Sequence, residues 1–341
     1  MKAFIKKTLL FALIFALIAV SVCVYIDPYN VFHALSYREN GVEPNKNYMK
    51  MRYVLREPEK FDTFLFGSSR VGFLNAQKLD GVRAYNMSYS LGLPQEHLAN
   101  IRTLLKKGVV PKHIILEIDD VCYRFSPESH KTEHSRAPYE YLTTHPLGFA
   151  ELYLCPVVAL DAVEIIRYSD RNAAEEEAFY AYGSRIVYGE QGKYSPKTET
   201  EDLSGPSYMD EAMDTMRALC ALCRDNGIEL TVLVTPLHYA TYTGALERGD
   251  YYTFLRRLAE ITPYYNFSGF NDITTDDRNY MDTSHYLAEI GDIMIDAFWH
   301  GKTEEKLLAQ GFGYYTDGTN VEQLIEILEN GRIQYQENGY V

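Results

Sequence analysis

With 341 residues, 47 acidic side chains against 33 basic ones and a formal charge of −14, the chain has no surplus of cations for neutralising a phosphate backbone. That argues against nucleic acid as a partner and disfavours broad adhesion to an anionic surface. Five cysteines are too few for a disulfide scaffold in a chain of this size.

Lys2, Lys6 and Lys7 precede a run from Thr8 to Ile26 without a charged side chain, which ends at Asp27-Pro28. This predicts one membrane-spanning helix. Lysines before the run, and no lysine or arginine after it until Arg38, favour a cytoplasmic N-terminus and a main domain outside the cytoplasm. A cleaved signal peptide is the rival reading, because Ala19-Val20-Ser21 fits a small-x-small site, but Val22 to Ile26 prolong the apolar run beyond it. Ser21-Val22-Cys23 lacks the small residue that a lipoprotein site places before its cysteine, so Cys23 reads as an apolar residue of the span. The expected organisation is an anchor over 1–27, a juxtamembrane connector over 28–60, an α/β domain over 61–300 and an appendage over 301–341.

Beyond the anchor, apolar runs alternate with helical patterns. Strands are predicted at Phe61–Phe66, Val82–Met87, His113–Ile118 and Leu230–Thr235, the last stopped by Pro236. Helices are predicted at Gln95–Lys107, Asp210–Asp225, Tyr251–Ile261 and Ser284–Trp299. Strand and helix in turn imply a doubly wound parallel sheet. Residues 126–206 break the rhythm with Ala173-Ala174-Glu175-Glu176-Glu177 and a polar stretch from Gly189 to Gly205, and read as an insertion, either a lid or a surface elaboration. The tyrosines Tyr180, Tyr182 and Tyr188 are either a sugar-stacking platform or packing residues. Cys220-Ala221-Leu222-Cys223 has CxxC spacing but lies on an apolar helix face with Met213, Met216 and Leu219, so core packing is expected. Two short helical segments, Glu304–Ala309 and Val321–Glu329, follow in the appendage.

Gly67-Ser68-Ser69-Arg70 sits at the carboxyl end of the first predicted strand, where open α/β sheets collect ligands. A serine there needs a base to take its proton, and Asp282-Thr283-Ser284-His285 supplies an imidazole with a carboxylate three residues before it. Each piece has a plainer reading: Gly-Ser-Ser as a tight turn, and Asp-Thr-Ser-His as a helix cap. His238, after the fourth strand, is either a substrate contact or a solvated loop residue. Asp119 and Asp120 have no matching ligand cluster, and no metal or organic cofactor is expected.

On these residues the chain resembles the SGNH (GDSL-like) hydrolase superfamily, and in particular its membrane-anchored bacterial branch with the teichoic-acid D-alanyl transfer and alginate O-acetylation proteins. Phe66-Gly67-Ser68-Ser69-Arg70 is similar to the first block, Asn86-Met87-Ser88-Tyr89-Ser90-Leu91-Gly92 to the second, and Asp282-Thr283-Ser284-His285 to the last. The resemblance implies a flavodoxin-like three-layer sandwich, with Ser69 as nucleophile, His285 as base and Asp282 as its orienting carboxylate. It also implies an oxyanion hole built from the Ser69 and Gly92 N–H groups. The third block departs: Glu117-Ile118-Asp119-Asp120 stands where the family has Gly-x-Asn-Asp, so Asn86 and Arg70 become substitute donors, Arg70 and His238 being also candidate substrate contacts. The implied activity is a membrane-anchored serine acyl esterase or O-acyltransferase acting on an acylated cell-envelope glycan or polymer. The alternative is a non-enzymatic assembly or glycan-binding factor partnering a membrane-bound O-acyltransferase.

Overall fold

A computed structural model describes residues 1–34, 41–168, 173–196 and 205–337. The chain forms two compact units: Met1–Arg56 with Glu128–Ala181, and Glu57–Pro127 with Tyr182–Val341.

The second unit is an α/β domain around one six-stranded sheet. Its strands are β1 (Thr63–Phe66), β2 (Ala84–Asn86), β3 (His113–Ile118), β4 (Glu229–Val234), β5 (Tyr264–Asn266) and β6 (Tyr314–Thr316), in the order β2-β1-β3-β4-β5-β6. The first five are parallel, and β6 closes the edge antiparallel to β5. Every residue of β1, β2 and β3 is buried, which is why most of their side chains are apolar. Alternation along β1 separates the two faces. Leu65 joins Ile115 and Leu233 in a core with Ile290, Met294 and Ile295 of the helix Ala288–Phe298. Phe66 turns the other way and meets the ring of His97 on the helix Pro94–Lys106. Because the chain leaves β1 for β2 on one side and returns to β3 on the other, the carboxyl ends of β1 and β3 flank a topological switch point.

The four predicted strands and the helices near 95–107, 210–225 and 251–261 are present within a few residues of their expected ends. The last long helix begins at Ala288, not Ser284, because residues 280–286 fold into an antiparallel bridge between Tyr280 and Tyr286. Residues 301–341 are more than an appendage. They supply β6, and the helix Val321–Glu337 packs against Tyr251–Ala259. In the helix Met209–Asp225, Met213, Met216, Leu219 and Cys223 are buried, and Cys220 is half-buried.

The first unit is helical. The helix Lys2–Ile26 carries 25 residues, is apolar enough to cross a membrane, and ends at Asp27 in the left-handed conformation with φ of 52°. The expected connector contains a helix, Lys46–Arg56. Buried Asn45 organises its start: the side-chain oxygen accepts from the Tyr48 N–H at 2.9 Å, and the amide donates to the Ala137 carbonyl and Tyr153 Oη, each at 2.9 Å. The predicted insertion is likewise helical, with helices at Tyr139–Thr144, Pro146–Tyr153, Pro156–Tyr168 and Ala173–Tyr182. Of its polar stretch, residues 197–204 lie outside the described residues.

Candidate active site

Two chain segments, far apart in sequence, meet at the carboxyl edge of the sheet. β1 ends at Phe66, and Gly67 turns the chain so tightly that a Cβ there would lie 2.7 Å from the Glu117 carbonyl oxygen of β3. Ser69 then opens a 3₁₀ turn, Ser69–Phe73, with Ser68 as its cap. Its N–H is among those that a helix start leaves without an intrahelical acceptor. The second segment is the loop Tyr280–Tyr286. Its Met281 N–H donates to the His285 carbonyl at 2.9 Å, while Asp282 Oδ1 accepts the N–H groups of Ser284 and His285 at 2.7 Å each. That turn folds the carboxylate back beneath the imidazole of its own loop.

The Ser69 hydroxyl and His285 Nε2 are 2.7 Å apart. His285 Nδ1 lies 2.9 Å and 3.0 Å from the two Asp282 oxygens. An ionised carboxylate only accepts, so Nδ1 is assigned the proton and Nε2 is left to accept from Ser69. Burial works to raise the Asp282 carboxyl, but hydrogen bonds from the His285 ring and the turn N–H groups outweigh it and hold the value at about 2. The folded-state value lies below the unfolded one, so the contribution of the hydrogen bonds to this ionised carboxylate is complete above about pH 4 and disappears as pH falls towards 2. Asp282→Asn is accordingly expected to flatten the stability profile between pH 4 and 2, as read by denaturation midpoints across that range.

Ser68 takes no part in that chain of contacts. Its hydroxyl donates to Asp119 Oδ2 at 3.0 Å and its oxygen accepts from the Arg70 N–H at 3.4 Å, which distinguishes it from the neighbouring Ser69.

Arg70, expected to face substrate or oxyanion, is buried and saturated by protein. Nη1 meets Asp119 at 2.6 Å and Asp120 at 3.3 Å, while Nε donates to the Ser284 carbonyl at 2.9 Å and Nη2 to Ser284 Oγ at 3.1 Å. It therefore clamps the nucleophile turn to the end of β3 and to the histidine loop. Two carboxylates of the third block, Asp119 and Asp120, are thereby paired with a guanidinium. Burial favours a neutral Asp120, yet Arg70, Arg124 and Arg248 prevail and keep its carboxyl below the usual range. Neither Arg124 nor Arg248 was singled out in the sequence. Arg124 stands four residues after Asp120, a legible helical pairing, whereas nothing in spacing marks Arg248.

Below the clamp lies Glu117, also missed. It accepts from Thr235 Oγ1 at 2.7 Å and from Tyr286 Oη at 3.0 Å, so it braces the residue next to His285. Burial, aided by Asp119 and opposed by those donors and Arg70, pushes its carboxyl up to about 7.

Asn86, a candidate oxyanion donor, is wholly buried and turned to the backbone, its amide donating to the Val71 carbonyl at 2.7 Å and its oxygen accepting from the Ser88 N–H at 2.9 Å. Gly92 does lie beside the nucleophile turn, since a Cβ on it would fall 2.6 Å from the Gly67 carbonyl. Its N–H makes a long bond of 3.3 Å to the Tyr89 carbonyl. His238 fits neither of its two readings: it is fully buried, accepts from the Ala240 N–H at Nδ1 and donates from Nε2 to Asp277 at 2.9 Å, as a helix cap whose ring burial depresses its basicity. Tyr180 packs on Tyr53 and Phe179, whereas Tyr188, its hydroxyl engaged by Asn75 and Asp292, is 43 % exposed and Tyr182 is 37 % exposed. Among the described residues no group of three or more His, Cys, Asp or Glu side chains could hold a metal. Compared with protein-family models, with curated proteins and with solved structures, the chain matches none.

Proposed function

We propose that this protein is a membrane-anchored serine acyl esterase or O-acyltransferase of the SGNH type, acting outside the cytoplasm on an acylated envelope glycan or polymer. The observation that carries the reading is the continuous contact from the Ser69 hydroxyl through the His285 ring to the Asp282 carboxylate, at 2.7 Å and 2.9 Å. In this mechanism His285 Nε2 takes the hydroxyl proton as Ser69 Oγ attacks the acyl carbonyl, and Asp282 stabilises the imidazolium that forms. The Ser69 and Gly92 N–H groups receive the oxyanion. The proton then passes to the leaving alcohol, and a water or a sugar hydroxyl, deprotonated by the same imidazole, takes the acyl group from Ser69. The strand order fits the three-layer sandwich of that superfamily, and the apolar helix Lys2–Ile26 fits the anchor.

The competing reading, a non-catalytic assembly or glycan-binding factor, is favoured by one observation: the amide of Asn86 is engaged by backbone and does not replace the asparagine missing from the third block. A fluorophosphonate probe separates the two. Labelling of the full-length chain is expected, with retention in Ser68→Ala and loss in Ser69→Ala and His285→Ala. Labelling that survives Ser69→Ala but not Ser68→Ala would reassign the nucleophile, and an unlabelled, folded wild type would favour the binding role.

A further inference from the structure

The helical unit exposes an apolar face that the catalytic reading does not use. The helix Pro156–Tyr168 buries Val158, Ala162 and Ile165, one stripe at helical spacing, and packs against the helix Lys2–Ile26. Two contacts fix the level of that packing. Tyr29 Oη donates to Asp161 Oδ2 at 2.8 Å, and the Cys23 thiol approaches the Cys155 carbonyl at 3.8 Å. Both lie at the C-terminal end of the apolar helix, where Tyr25 is 79 % exposed, at the height where a spanning helix places interfacial aromatics. Cys23 is two residues further into the span, about 3 Å at the helical rise.

Anything packed at Cys23 is thus at the depth of the headgroup and upper acyl region. The exposed side chains on the two helices that follow match that solvent. Leu160 is 69 % exposed, Val157 55 % and, on the preceding helix Pro146–Tyr153, Leu147 79 %. The two helices bend by 51° at their junction, and the exposed Glu151 and Glu164 suit a segment lying at a bilayer surface better than one crossing it.

We propose that the bent pair Pro146–Tyr153 and Pro156–Tyr168 is a second lipid-contacting element, seated in the headgroup–acyl boundary against the end of the anchor. The occupant of the apolar face is then the bilayer itself, since that face adjoins the surface of a helix already in lipid. The inference rests on reading Lys2–Ile26 as a membrane anchor.

The test uses the full-length chain in phosphatidylcholine vesicles, in a Trp299→Phe background, with single tryptophans introduced as Phe15→Trp in the anchor and Leu160→Trp on the new element. Lipids brominated near the headgroup or near the chain end quench a tryptophan according to its depth. Leu160→Trp is expected to be quenched most by the shallow bromine and Phe15→Trp most by the deep one. Quenching of Phe15→Trp with none of Leu160→Trp would overturn the proposal and leave the anchor standing, pointing to a protein partner or a second copy on that face. Absence of quenching at both positions would overturn the anchor reading and the proposal together.

Discussion

Ser69→Ala is expected to lower acyl-ester turnover by about 10⁴-fold or more while leaving the fold untouched. The hydroxyl makes one side-chain hydrogen bond among the described residues, to His285. Its removal exposes no buried polar partner, since the His285 ring is partly open to solvent, so the unfolding midpoint should move by no more than about 0.5 kcal/mol. His285→Ala should cost about as much in turnover, and the double variant no more than either, because nucleophile and base act as a unit. Ser68→Ala provides the contrast. It strips a hydrogen bond from a buried carboxylate, at a cost of about 1–3 kcal/mol in stability, and should keep its turnover per folded molecule. Release of a chromogenic alcohol from an acyl ester reads the first effect and denaturation the second. A Ser69→Ala variant with undiminished turnover would end the assignment of that residue as nucleophile.

Arg70→Ala is expected to be the most destabilising single change at this site, by about 3–5 kcal/mol. The guanidinium is 5 % exposed and faces two carboxylates, Asp119 and Asp120, that are themselves buried. Truncation would leave Asp119 without its cationic partner, whereas Asp120 would retain Arg124 and Arg248. It would also release Ser284, through which the histidine loop is fastened, so turnover should fall with stability. Arg70→Lys should recover part of the charge but not the fork that holds Asp119, Asp120 and Ser284 at once. Chemical denaturation of the purified chain measures the effect. A loss below about 1 kcal/mol would show that the carboxylates find other partners, and that the clamp does not carry the loop.

The sheet was legible because parallel strands buried on both faces are mostly apolar, as β1 and β3 are, and as β4 is over its last three residues. The edge was not. β5 and β6 have three residues each, too few to show a period, and β6 is specified by its pairing with Tyr264–Asn266 rather than by its own sequence. No helix is predicted within the connector or the insertion, yet the first contains Lys46–Arg56 and the second four helices. Their helices are short, and the start of Lys46–Arg56 is set by Asn45, whose partners lie 92 and 108 residues away.

At the site, strand-end position and side-chain chemistry pointed to Gly67-Ser68-Ser69 with His285 and Asp282, and the resemblance chose Ser69 over Ser68. The misplaced residues, Arg70, Asn86 and His238, share a different property: each is a polar side chain that donates to an acceptor on another segment. A sequence offers the donor but not the acceptor that will claim it. Burial reverses the interpretation, since a buried donor is spent on the fold before any ligand arrives.

The separation of roles between adjacent serines has an evolutionary reading. Fastening runs through Ser68 and Arg70, whereas the alcohol at position 69 bears little weight in the architecture. On the proposed mechanism, a lineage would discard its reactivity by one codon change and inherit the scaffold whole, free to drift towards duties that need only shape.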